Sequence, residues 1–276
     1  MSIPSKVLLL CWRDTGHPQG GGSERYLERV GTELASRGVG VTLLTARYPG
    51  SGQQEYRDGL RIIRAGGRLG VYPSALAIIA AGRLGMGPLA GFDPDLVVDT
   101  QNGVPFFATT ISGAPTVVLV HHCHREQWPV AGRLLGYVGW FIESRLSPWV
   151  HRRNRYVTVS RPSARELAEL GVDPERITVI HNGVPDGPAG ASVRGALRAE
   201  LGIPEHVTAV VNAGRFVVDK GQELLLRAMP KWPADVHLYL IGDPDTEYGR
   251  QVRQLSHDAS RVHFLGYRKD VQRILP

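Results

Sequence analysis

Three clusters along the chain combine residue types able to bind or transform a small polar molecule. The first is Gly20-Gly21-Gly22-Ser23-Glu24. Glycines let a ligand approach the backbone, and the amides that open a helix attract phosphate. The G-x-G-x-x-G fingerprint of dinucleotide folds is absent, because the three glycines are consecutive. A flexible strand-to-helix turn with Ser23 as N-cap is the competing reading. The second cluster is His121-His122-Cys123-His124, directly after the apolar run Thr116–Val120. A histidine at a strand end can donate a hydrogen bond or move a proton. Zinc is a rival reading, but successive residues at a strand end point in opposite directions and cannot all face one metal. Partly buried histidines that cap a loop are the structural alternative. The third is Gly214-Arg215-Phe216-Val217-Val218-Asp219-Lys220-Gly221. Arg215 supplies a bidentate fork and Lys220 a point charge, so across one loop both can converge on a diphosphate. Two solvated charges flanking a helix start would look the same in sequence.

Each cluster needs elements to hold it. Short apolar runs at Lys6–Cys11, Val41–Ala46, Leu60–Arg64, Asp95–Asp99, Thr116–Val120, Tyr156–Val159 and Ile177–Ile180 read as strands. Helical stretches at Ser23–Ser36, Ser74–Leu84 and Pro162–Leu170 alternate with them; in the first, Tyr26, Leu27, Val30 and Leu34 share one face and Gly38 stops the helix. The pattern predicts a parallel sheet of about seven strands, covered on both faces. Pro185–Ser192 (PDGPAGAS) reads as a linker. Beyond it come helices at Val193–Leu201, Gln222–Met229 and Glu247–Asp258. Strands at Thr208–Ala213, Val236–Ile241 and Arg261–Leu265 alternate with them, and a last helical fragment starts near Lys269. The expected division is therefore 1–185, a linker with first helix at 186–207, and a second α/β unit at 208–276. All three clusters follow strands, the edge at which open α/β sheets bind ligands.

Composition narrows the function classes. With 276 residues, 42% hydrophobic and 21% charged, the chain reads as globular. Its apolar runs fall short of a membrane span, its start lacks a signal-peptide cleavage region, and Cys11 and Cys123 cannot build a disulfide framework. A cytoplasmic protein is expected. The 32 Lys+Arg exceed the 26 Asp+Glu, and the pI is about 9.5. That balance suits a phosphate-bearing ligand or an anionic surface. The basic residues are dispersed, so nucleic acid is not an expected partner.

The segment VVNAGRFVVDKGQELLLRAM resembles the opening of the donor-binding domain of family-four glycosyltransferases of the GT-B fold. TVSRPSARELAELGVDPERITVIHNGV is similar to the segment before their linker, and GGGSERYLERVGTELASRGVGVTLLTA to their first loop, helix and second strand. The resemblance implies two Rossmann-like domains with parallel sheets, acceptor side first and donor side second. It implies retaining transfer of a hexose-type sugar from a nucleotide-diphospho-sugar across an interdomain cleft, with no cofactor and no metal. By motif position, Arg215 and Lys220 would bind the donor diphosphate, Gly21 and Gly22 would approach donor phosphates, and His121 would be the cleft histidine, with His122 as fallback. The family's Glu-x7-Glu motif is not found after Lys220, where Glu223 and Glu247 are the only glutamates. The second domain is therefore expected to be truncated, and turnover by this chain alone is doubtful. The alternative is a non-catalytic fragment that binds nucleotide or acceptor.

Asp93-Pro94-Asp95 and Asp243-Pro244-Asp245 match a metal-binding DxD in letters only. A nicotinamide oxidoreductase is disfavoured, because Ala46, Arg47 and Tyr48 stand where an acidic ribose ligand belongs. One stretch is left over. Trp128, Trp140, Phe141 and Trp149 lie among Arg133, Arg145, Arg152, Arg153 and Arg155, the residue types of an interfacial segment on anionic lipid. Peripheral membrane contact at the inner face, with a lipid-linked acceptor, is one reading. The other is core packing: Leu135, Val138, Ile142, Leu146 and Trp149 form a stripe fit to cover a sheet, with Pro148 kinking or ending the helix.

Overall fold

The strand β1 (Lys6–Leu10) carries nothing polar after its lysine, and Val7, Leu8, Leu9 and Leu10 are completely buried. Such a strand needs neighbours on both edges and helices on both faces. The computed structural model describes residues 4–128, 132–183, 191–256, 260–268 and 270–274. In it β1 lies between β2 (Gly40–Ala46) and β5 (Leu96–Gln101), parallel to both. The remaining strands are β3 (Gln54–Arg57), β4 (Leu60–Ala65), β6 (Thr116–Val120), β7 (Arg155–Thr158) and β8 (Ile177–Val179). They complete an eight-stranded sheet in the order β3-β4-β2-β1-β5-β6-β7-β8, parallel except at β3–β4.

The strand not foreseen is β3. Its sequence, QEYR, is polar and half exposed, so no apolar run announces it. Its turn does. Asp58 and Gly59 have φ of 51° and 81°, the doubly left-handed turn that joins two antiparallel strands.

Alternate residues of β1 enter opposite cores. Leu8 and Leu10 pack with Val71, Ala75 and Ile79 of α2 (Val71–Arg83); Val7 and Leu9 pack with Leu27 of α1 (Gly22–Ser36). Gly31 lets α1 lie close to the sheet: a Cβ there would sit 2.9 Å from Leu9 and Leu60 methyl carbons. Gly38, at φ 85°, ends α1, its N–H bonding Ala35 O while the next amide bonds Leu34 O. Ser160 caps α5 (Arg161–Glu169) by accepting the Ser163 N–H.

The stripe expected to cover the sheet does not. α3 (Arg133–Phe141) runs into a π-turn, Ile142–Leu146, and then α4 (Ser147–Val150), whose first turn holds Pro148. Leu135, Val138 and Trp149 are 59%, 45% and 64% exposed. The inward face is Gly136, Gly139, Glu143, Ser144 and Ser147. Two causes act together. The extra residue in the π-turn breaks the 3.6-residue register. The Trp128 ring also lies against Gly139, where any side chain would overlap it.

The chain divides into two compact units, Met1–Gly183 and Val184–Pro276. Of the expected linker, residues 185–190 lie outside the described residues; Ala191 and Ser192 already belong to α6 (Ala191–Glu200). The second unit holds β9 (Thr208–Ala213), α7 (Gln222–Ala228), β10 (Val236–Ile241), α8 (Glu247–Leu255), β11 (Val262–Gly266) and α9 (Val271–Ile274). Its parallel sheet has the order β11-β10-β9. Leu238 and Leu240 pack there with Phe216, Leu226 and Val252.

Candidate functional site

In the first unit the glycine-rich loop leaves the carboxyl end of β1 and enters α1. It is pinned from below. Asp14, fully buried, accepts the Gly16 N–H at 2.7 Å and pairs with Arg64 at 2.5 Å, and Arg64 also reaches Glu55. Gly20 packs on backbone: a Cβ would stand 2.9 Å from the Asp14 carbonyl.

The helix cap is Gly21, not Ser23. A glycine brings no side-chain oxygen, so the first-turn amides receive no cap bond. One amide is taken from the side: Glu24, buried, turns back and accepts the Gly21 N–H at 2.8 Å and the Ser23 hydroxyl at 2.9 Å. At Gly22 an added Cβ would meet nothing within 4 Å. That side of the helix start is open.

His121 follows β6, and the fold brings it to α1. Its ring meets Tyr26 edge-on, with centroids 5.2 Å apart and planes at 88°. Ser163 donates to the His121 carbonyl at 3.1 Å. The His121 Nε2 is buried and has no hydrogen-bond partner among the described residues. Burial, and then the neighbouring His122, push this imidazole below its usual pKa, while Glu24 pulls the other way. The ring is neutral at pH 7 and keeps one nitrogen unsatisfied. A buried polar atom without a partner is costly, and a bound ligand is one way to relieve it.

His122 is exposed and lies against His124, centroids 4.3 Å apart and planes tilted by 33°, with its Nε2 at 3.3 Å from Gln127. It does not share the contact with α1 that His121 makes. Among the described residues no three His, Cys, Asp or Glu side chains converge on a common point. Asp95 is a staple: its carboxyl accepts the Ser5 hydroxyl and the Ser5 and Lys6 amides, which hold it below the usual carboxylate range. Asp243 accepts the Asp245 N–H in a local turn.

In the second unit, loop 214–221 runs from the carboxyl end of β9. Asn212 donates to the Lys220 carbonyl at 3.3 Å, and buried Gln222 donates to the Arg215 carbonyl at 3.0 Å. Gly242, at φ 152°, leaves room for the Gly214 carbonyl over the end of β10. The Lys220 stem runs past Gly214 at van der Waals distance. Arg215 and Lys220 are both exposed, and neither has an ion-pair partner among the described residues. Two fixed backbone anchors thus present two unneutralised cations.

Sequence reasoning gave Tyr26 and Glu143 no part in the site and did not foresee that Glu24 turns back on the helix start. Glu24 was legible as the acidic residue three positions after the cap. Tyr26 was legible only as a helix-face residue. Glu143, set in the sequence between Phe141 and Arg145, is completely buried.

A family profile described as Glycosyltransferase Family 4 matches residues 20–187, and one described as Glycosyl transferases group 1 matches residues 208–276. A D-inositol 3-phosphate glycosyltransferase of Xylanimonas cellulosilytica is 36% identical over 93 residues, 31% of this chain and 22% of that protein. A GDP-mannose-dependent monoacylated alpha-(1-6)-phosphatidylinositol monomannoside mannosyltransferase of Corynebacterium glutamicum is 29% identical over 164 residues, 56% of this chain and 40% of that protein. The match therefore spans well under two thirds of either relative. The crystal structure of Anabaena HepE with UDP and glucose superposes with a TM-score of 0.66 at 20% identity, covering 98% of this chain and 71% of that one. Matched over more than half its length by that profile, and folded as a GT-B-type α/β protein, the chain belongs to Glycosyltransferase Family 4.

Proposed function

We propose that the protein transfers a sugar from a nucleotide-diphospho-sugar to an acceptor, with retention at the anomeric carbon and without a metal ion. The bond from the anomeric carbon to the diphosphate oxygen breaks, a bond to the acceptor oxygen forms, and the acceptor proton is lost. Nucleoside diphosphate leaves carrying the developed negative charge. Arg215 and Lys220 stabilise that charge, with the open first-turn amides at Gly22 facing donor phosphate. His121 lies beside the transferred sugar and hydrogen-bonds it through Nε2. The observation that carries this reading is the buried, unpartnered His121 Nε2 beside Tyr26.

Calorimetric titration with UDP and with GDP tests it. Arg215→Ala and Lys220→Ala should each weaken binding by about 1.5–3 kcal/mol, the worth of a hydrogen bond to a charged group. Unchanged affinity in both variants removes the diphosphate site. Product NMR at the anomeric proton decides retention.

The acceptor is lipid-linked, and the protein docks on an anionic bilayer at the inner membrane face. The Corynebacterium glutamicum relative is named for a phosphatidylinositol acceptor. Here α3 exposes Leu134, Leu135, Tyr137, Val138 and Phe141, while Arg133, Arg145, Arg152 and Arg153 are exposed along the same stretch. Apolar side chains that enter the headgroup region, ringed by arginines that meet lipid phosphate, fit an anionic surface. Among the described residues no helix is long and apolar enough to cross a membrane.

A further inference from the structure

We infer that Glu143 and Trp128 form a latch that positions the histidine-bearing loop 121–128, making Glu143 a positioning residue for the transfer site. The inference rests on the reading of His121 given above.

Glu143 is completely buried within a helical stretch that is otherwise largely apolar. A carboxylate in that place is expensive unless its oxygens are satisfied. Both are, and among the described residues their partners lie in one loop. Oε1 accepts the His124 N–H at 3.0 Å and stands 3.4 Å from the same residue's Nδ1. Oε2 accepts the Trp128 indole N–H at 2.5 Å.

The indole is itself seated on two glycines. A Cβ at Gly139 would overlap its ring, and one at Gly103, just after β5, would come within 2.7 Å. Gly139 lies one helical turn before Glu143, so the same helix supplies both the seat and the acceptor. The π-turn at Ile142–Leu146 carries Glu143 inward, and such turns recur at functional sites.

From the latch the constraint passes along the loop. The His124 ring lies against that of His122, and Ser163 holds the His121 carbonyl. An apolar residue at 143 would give the core as much stability with less cost. A carboxylate whose bonds all go to the histidine loop gives that loop one conformation.

The test compares the full chain with Glu143→Gln and Trp128→Phe. Phe keeps a ring on the glycines but removes the donor. Amide hydrogen exchange at 121–128 should quicken roughly tenfold or more in both variants, while the amides of β1 and β6 stay unchanged. A second readout is the His122 titration by NMR. Desolvation by the surrounding loop and then His124 hold that ring below its usual pKa, while Glu143, a Gln127 hydrogen bond and Glu166 raise it. Glu143→Gln should therefore move its midpoint further down. Unchanged exchange in both variants overturns the latch. Exchange that quickens equally across β1 and β6 also overturns it, since Glu143 would then support the fold at large. A wild-type chain that binds neither UDP nor GDP removes the transfer reading without touching the exchange result.

Discussion

At Gly22 the fold and the proposed ligand make different demands. An added Cβ meets nothing within 4 Å, and alanine is the better helix former. Gly22→Ala should leave the melting temperature unchanged or raise it, yet weaken UDP or GDP binding about tenfold, the cost of one poorly made charged hydrogen bond. Parallel melting and titration curves check this, and intact affinity would remove Gly22 from the site. His151 tells a different story. It is completely buried, stacks on Phe107 at 5.8 Å, and its Nε2 has no partner among the described residues. Burial pushes it down to about 4, while the hydrogen bond from its Nδ1 to Asn154 Oδ1 acts the other way. Folding therefore favours the neutral ring, so this stability is complete above the unfolded value near 6.5 and is lost as pH falls towards 4. Between pH 7 and 5 the loss is about 2 kcal/mol. Urea midpoints at the two pH values should show that fall in the wild type, and His151→Phe should flatten it.

Among the elements, the helix at 133–150 is where sequence and structure part. A stripe at 3.6-residue spacing predicts burial, but the buried side holds glycines, serines and Glu143. Periodicity reports which residues share a face. It cannot report that a tryptophan from a preceding loop already fills the space against the sheet. Gly139→Ala should therefore cost about 1–3 kcal/mol through overpacking against Trp128, despite its gain in helix propensity. The companion prediction concerns the outer side. Leu134→Glu with Phe141→Glu should leave the fold intact, since both positions are exposed. Co-sedimentation with phosphatidylglycerol vesicles should be lost in that double variant. In the wild type it should weaken with rising salt, as screening requires. Equal pelleting with neutral and anionic vesicles would sink the membrane reading.

On the scale of the whole molecule, two compact units carry different parts of the proposed chemistry. Met1–Gly183 holds the glycine loop and His121, while Val184–Pro276 holds Arg215 and Lys220. The first has its own three buried apolar clusters around an eight-stranded sheet. Residues 1–183 expressed alone should fold cooperatively, with a circular dichroism melt near that of the same unit in the full chain. That fragment should bind no nucleoside diphosphate tightly, since both cations are absent from it. Tight binding by the fragment would move the diphosphate site into the first unit.

The sequence by itself determined the alternation of strands and helices, and it marked a linker and three strand-end loops as candidates. These depend on local periodicity and on glycine, which a linear pattern records directly. It also made His121 a candidate beside His122, but could not choose between two adjacent histidines. Tertiary structure distinguished them: only His121 meets Tyr26 from α1, a residue 95 positions away in the chain. The same holds for Glu143, whose type suggested solvent and whose partners are His124 and Trp128. Side-chain burial is fixed by what arrives from elsewhere in the chain, and neighbouring residues in the sequence carry no record of that arrival.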